Sequence, residues 1–202
     1  MINIKRTLII FGQKTAAEVH SAAKLGFHDH FDTIRTFVFN EELSENTDFN
    51  SVMNAGGDVF FIAATIDFQL KPRVIQFAES LGLKPFSIIH PSAFIDESAE
   101  ICEGVFVGPQ AVVSANARIG NHSIIHIHSS IGHDSQIGEY CAILPGARIS
   151  GDVVLEDHVL IGSNSFVFQG TRVGRNARID ALTYVRDDIP EKSTLSCRRS
   201  NH

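Results

Sequence analysis

Tryptophan is absent from the 202 residues, and tyrosine and methionine occur twice each. Cysteine occurs three times, at Cys102, Cys141 and Cys197. An odd number without C-x-x-C spacing excludes a disulfide framework and a cysteine zinc site, and it points to a reducing, cytoplasmic setting. Long apolar runs are also lacking. No stretch reaches the roughly 18 apolar residues of a membrane-spanning helix, and the run Thr7–Phe11 is too short for a secretory signal, so a soluble protein without membrane insertion is expected. Basic residues are in deficit: 17 Lys and Arg stand against 23 Asp and Glu, a net charge of −6. No basic cluster is dense enough to neutralise several phosphates, and the Arg198–Arg199 pair reads as solvated surface, which excludes a nucleic-acid partner.

What is present divides near residue 87. Before it, Thr7–Phe11 reads as a buried strand stopped at Gly12, followed by a helix over 16–25 closed by Gly26. A second strand is expected over 36–39, a third over 58–64, and a helix over 72–81 ended by Gly82. Alternating strands and helices predict a small α/β, Rossmann-like domain over residues 1–86. In such a sheet a ligand sits at the carboxyl ends of the strands, which makes Gly12, Gln13, Lys14 and Asn40 candidate substrate-binding residues. One glycine in the first turn falls short of a G-x-G-x-x-G dinucleotide fingerprint, and a tight turn into a helix needs that glycine anyway.

From Ile89 to Val185 an aliphatic residue returns every six positions, seventeen times without a miss. Four residues after each of the first sixteen stands a small or slim side chain, from Ala93 to Thr183. A period of six fits neither a helix nor a simple two-residue alternation, and it predicts an all-β solenoid, a parallel β-helix over 87–187 with a tail over 188–202. Three hexads make one triangular coil, so residues three hexads apart stack. No hexad is interrupted, and a site must therefore be built from side chains on the faces of the solenoid or between subunits.

Four of the ten histidines fall within twelve residues: His122, His126, His128 and His133. His122 and His128 share the fourth place of the hexad on successive faces, His126 takes the second and His133 the third, so the four do not converge within one subunit. The His128–His133 spacing is similar to that of the γ-class carbonic anhydrases, but position 92, two coils back, is Ser, and zinc needs a third protein ligand. No metal is expected. For proton transfer one neutral imidazole with an orienting carboxylate is enough, and His133 is followed directly by Asp134.

The βαβ opening, the uninterrupted hexads and the His133–Asp134 pair followed by Ile137-Gly138 resemble the left-handed β-helix sugar acyltransferases: the sialic acid O-acetyltransferases and the N-acetyltransferases acting on nucleotide-linked 4-amino sugars. The resemblance implies a homotrimer with acetyl-CoA, the acyl donor, lying between neighbouring solenoids. It also implies His133 as general base, Asp134 as its orienting acid, and a nucleotide-sugar acceptor used in surface polysaccharide biosynthesis. By the same resemblance Gly151 lets pantetheine approach the backbone, while Ser163 and Ala181 offer further contacts to CoA. Where the family has a second histidine near the thioester this chain has Ala142, and where it has an acceptor-contacting Asn this chain has His126. Two other readings are a catalytically weak or silent trimeric scaffold and a metal-dependent hydratase of the carbonic-anhydrase type.

Overall fold

The computed structural model describes residues 5–40 and 42–197. It divides into two compact units, Met1–Pro91 and Ser92–His202. That division falls a few residues beyond the change of pattern at residue 87.

The first unit is built on a parallel sheet. Strand β1 (Arg6–Gly12) is flanked by β2 (Thr33–Phe37) and β3 (Asp58–Ala64), with the two-residue β4 (Lys84–Pro85) beyond, in the order β2-β1-β3-β4. Leu8, Ile9, Ile10 and Phe11 are wholly buried, as expected for a central parallel strand covered on both faces. Helix α1 (Lys14–Phe27) follows β1 directly and runs past Gly26, while α3 (Leu70–Ser80) ends before Gly82, which takes a φ of +76°. Between β2 and β3 lie a 3₁₀ turn (Leu43–Glu45) and helix α2 (Thr47–Asn54), neither anticipated from the sequence. Asn46 caps α2 by accepting a hydrogen bond from Phe49 N at 2.9 Å. Strand β2 begins three residues earlier than expected. Gly12 is required by packing, since a Cβ there would collide with the carbonyl oxygen of Ala64 on β3.

The second unit is the solenoid. Two-residue strands form three parallel sheets, and partners are one full coil apart, as in Ile119↔Ile137, Ile125↔Ile143 and Ile131↔Ile149. The hexad aliphatics point inward: Ile119, Ile125, Ile131, Ile143, Ile161 and Ile179 are all fully buried. The fourth residue of every hexad from Gly104 to Leu182 has a positive φ, between 54° and 73°. This left-handed residue makes the corner, and Gly, Asn, Asp and His supply most of these positions because they tolerate it. The small fifth residue has a separate part. It points inward, and where it is Ser its hydroxyl donates to a carbonyl of the next coil, as in Ser135 Oγ to Ser150 O at 2.8 Å.

Residues 188–197, expected to form part of a tail, continue the solenoid. Val173 bridges Ile189 and Ile179 pairs with Leu195, so the coil goes on after a step of four residues instead of six. Ile189 and Leu195 are again six apart, and Lys192, fourth in that hexad, has a φ of +55°. The rest of the predicted tail, 198–202, lies outside the described residues. Among the described residues no helix is long and apolar enough to cross a membrane.

Candidate active site on a solenoid corner

The strand Ser130–Ile131 ends in Gly132, and His133 and Asp134 form the corner that leads into Gln136–Ile137. A left-handed residue reverses the ordinary alternation of side chains. With φ at +59°, Asp134 turns its carboxylate back toward its neighbour, and His133 Nδ1 lies 2.8 Å from Asp134 Oδ2. The side chains are about half exposed, 55% and 47%, so the pair stands open to solvent.

The coils above and below complete the corner. Asn116, one coil before Asp134, donates from Nδ2 to Asp134 Oδ1 at 3.0 Å. Asp152, one coil after, brings a second carboxylate near, and ligand atoms of His133, Asp134 and Asp152 all lie within 4.8 Å of one another. Gln169 Nε2 donates to Asp152 Oδ2 at 3.0 Å. Gly151 is stacked on His133, and a Cβ there would collide with the imidazole Nε2. Glycine therefore leaves the Nε2 edge clear while Nδ1 is held by Asp134.

These contacts set the titration of the pair. The hydrogen bond to Asp134 raises the His133 pKa above its ordinary value, with the charges of Asp134 and Asp152 adding to it and desolvation opposing it. The bonds from His133 and then from Asn116 hold Asp134 below the usual carboxylate range. An imidazole with Nδ1 on a carboxylate and Nε2 clear is arranged to take a proton at Nε2.

The remaining expected residues fall elsewhere. Ser163 and Ala181 are stacked one coil apart, with Leu182 N bonded to Ser163 O at 2.9 Å, on the corner after Leu160–Ile161, a different edge of the solenoid from His133. Ala142 is 1% exposed, paired between Ile124 and Leu160 on a different sheet from the strand that leads to His133. His126 is likewise buried, its ring edge-on to Phe106 at 6.4 Å. His122 lies in a ring stack with Tyr140 at 5.6 Å, and Tyr140 stacks in turn on His158 at 4.8 Å. Among the described residues, none of His122, His126 and His128 joins the cluster around His133.

In the first unit, Gly12, Gln13 and Lys14 line a cleft of about 360 Å³ with Thr65 and Asp67, at the carboxyl ends of β1 and β3. Asn40 is not in that cleft and lines a neighbouring groove with Glu42 and Asp48. The sequence reading missed Asn116, Asp152 and Gln169. For the first two a signal was available, since each stands exactly three hexads from Asp134 along the chain.

The bacterial transferase hexapeptide family model matches residues 116–151 and 134–169. The GDP-perosamine N-acetyltransferase of Escherichia coli O157:H7 is 32% identical over 111 residues, covering 55% of this chain and 50% of the relative. An acyl-[acyl-carrier-protein]–UDP-N-acetylglucosamine O-acyltransferase of Paracoccus denitrificans is 40% identical over 72 residues, 36% of this chain and 28% of the relative. The chain thus spans half or less of the length of these curated relatives. The acetyltransferase domain of PglB from Neisseria gonorrhoeae, solved with acetyl coenzyme A, superposes with a TM-score of 0.81 at 22% identity, covering 95% of this chain and 96% of that one. PerB from Caulobacter crescentus, solved with CoA and GDP-perosamine, gives 0.80 at 21% identity, covering 96% and 94%. Repeats of the transferase hexapeptide type run through the centre of the solenoid, and the chain shares the fold of these solved structures, an α/β unit followed by a left-handed β-helix.

Proposed function

We propose that the chain transfers an acetyl group from acetyl-CoA to an amino or hydroxyl group of a sugar, with His133 as general base and Asp134 as the group that orients it. The observation that carries this reading is the corner itself: Nδ1 is bonded to a carboxylate and Nε2 is clear over a glycine. His133 Nε2 takes the proton of the acceptor as its nitrogen or oxygen attacks the thioester carbonyl. The carbon–sulfur bond breaks, and the proton passes from the imidazolium to the departing thiolate. No covalent bond to the chain is needed. The relatives and the Caulobacter structure support a nucleotide-linked sugar as acceptor, and within the first unit the cleft lined by Gly12, Gln13 and Lys14 is a candidate nucleotide-binding place. Ser163 and Ala181 would contact CoA.

The test is release of free thiol from acetyl-CoA over a panel of nucleotide-linked amino sugars. His133→Ala should abolish turnover while circular dichroism and the oligomeric state stay unchanged. Gly151→Ala should do nearly the same by a different route. Position 151 has no left-handed φ, so the backbone accepts alanine, but the methyl group displaces the imidazole and covers Nε2. Substantial activity in both variants would rule out His133 as the base, and no turnover by the wild type with any sugar would favour the scaffold reading.

A further inference from the structure

The corner that carries Asp134 also carries, in the coils before it, Ser98 and Asn116. Each is fourth in its hexad and one coil from the next. A continuous series of hydrogen bonds joins them. Ser98 Oγ donates to Asp96 Oδ1 at 2.6 Å and accepts from Asn116 N at 3.0 Å. Asn116 Nδ2 then donates to Asp134 Oδ1 at 3.0 Å, and Asp134 Oδ2 meets His133 Nδ1 at 2.8 Å. We propose that Asn116 is a positioning residue for the His133–Asp134 pair: it fixes the carboxylate by its second oxygen, so that Oδ2 is presented to Nδ1 and the imidazole keeps its proton there, with Nε2 free to accept one.

The geometry makes this more than a surface contact. An exposed aspartate carboxylate turns freely about its terminal torsion, and a single bond to an imidazole does not hold it. Bonds to both oxygens do. The rung spacing of the ladder puts the side chain of residue 116 directly against that of residue 134, because both occupy the same left-handed corner place, with φ of +57° and +59°. Asparagine suits the position on two counts: it takes the left-handed conformation readily and it offers an amide donor. Aspartate would share the shape and the backbone preference but would set one carboxylate against another. The charged and titratable groups facing His133 are Asp134 and Asp152, and Gln169 bonds to Asp152, so Asn116 is the group that holds Asp134.

The inference rests on His133 being the working base only in what it means for turnover. The placement itself is read without activity, by NMR titration of the His133 imidazole and of its ring nitrogens in the full-length protein. In the wild type the imidazole should titrate above its ordinary value with the proton on Nδ1. In Asn116→Ala the titration should move down toward that of Asp134→Asn, with the two tautomers mixed. Asn116→Asp, which keeps the corner conformation, should lose the Nδ1 preference while retaining a high titration point, since it adds a negative charge. In the transferase assay kcat should fall about tenfold in both Asn116 variants, with KM for acetyl-CoA unchanged. In the Asn116→Ala, Asp134→Asn double variant the losses should not add. An unchanged tautomer and titration in both Asn116 variants would overturn the proposal. Its confirmation in a protein that acetylates no sugar would leave the positioning intact and refute the assigned reaction.

Discussion

At the scale of the residue, His133 combines exposure with a tether. The side chain is more than half open to solvent, yet one ring nitrogen is committed to Asp134 and the other faces the gap above Gly151. The pH dependence follows in sign from the contacts. A base works only when unprotonated, and the Asp134 hydrogen bond raises the His133 pKa above the ordinary imidazole value of 6.5. kcat/KM should therefore fall as pH drops through a point above 6.5, since that profile reports the free enzyme. Asp134→Asn removes the largest cause of the shift. It should move this acid limb to lower pH while lowering the plateau, because the tether that sets the tautomer is weakened at the same time. A pH profile of thiol release in the two proteins checks both effects, and an acid limb unmoved in the variant would assign it to another group.

At the scale of the element, the unit is the hexad, and each place in it has a physical task. The first place fills the interior, the fourth turns the corner in a left-handed conformation, and the small fifth place lies inside against the next coil. Ile143, fully buried and paired with Ile125 and Ile161, is a central instance of the first task. Ile143→Ala should cost about 2–5 kcal/mol in equilibrium unfolding, since a rigid stack closes poorly around the cavity. The interior was legible in the sequence because one period governs every hexad and no insertion breaks it. Its end was not: the step from Val185 to Ile189 is two residues short, and a strict count of six stops there although the coil goes on. Helix α2 was missed for another reason. Of its eight residues only Phe49 is buried, so it shows almost no apolar pattern, and its start is marked only by the capping Asn46. The pair His133–Asp134 was readable because the two residues are adjacent. Asn116 and Asp152 were not picked out, because polar residues at a corner look like solvated turn residues until the stacking of successive coils is applied to them.

At the scale of the whole molecule, the expected binding residues are divided between two edges of one solenoid. His133 and Gly151 share the corner after Ser130–Ile131, whereas Ser163 and Ala181 share the corner after Leu160–Ile161. A triangular rod cannot bring its own corners together. A head-to-tail arrangement of copies can, by placing one corner of each chain against the other corner of the next, and the homotrimer that the family resemblance implies is a closed ring of this kind. Exposed apolar side chains on the solenoid, with Leu182 at 70% and Tyr184 at 57%, are consistent with surfaces that a second copy covers. We therefore expect light scattering to give about three times the 22.2 kDa chain mass. The sharper test is complementation. His133→Ala removes the base, and Ala181→Trp blocks the opposite corner, so each protein alone should be inactive. In trimers assembled from an equal mixture, a site is complete wherever an intact His133 of one protomer meets an intact Ala181 of its neighbour, which should restore about a quarter of wild-type turnover. Mixed trimers without any recovered activity would place both corners' functions within single chains and refute the shared groove.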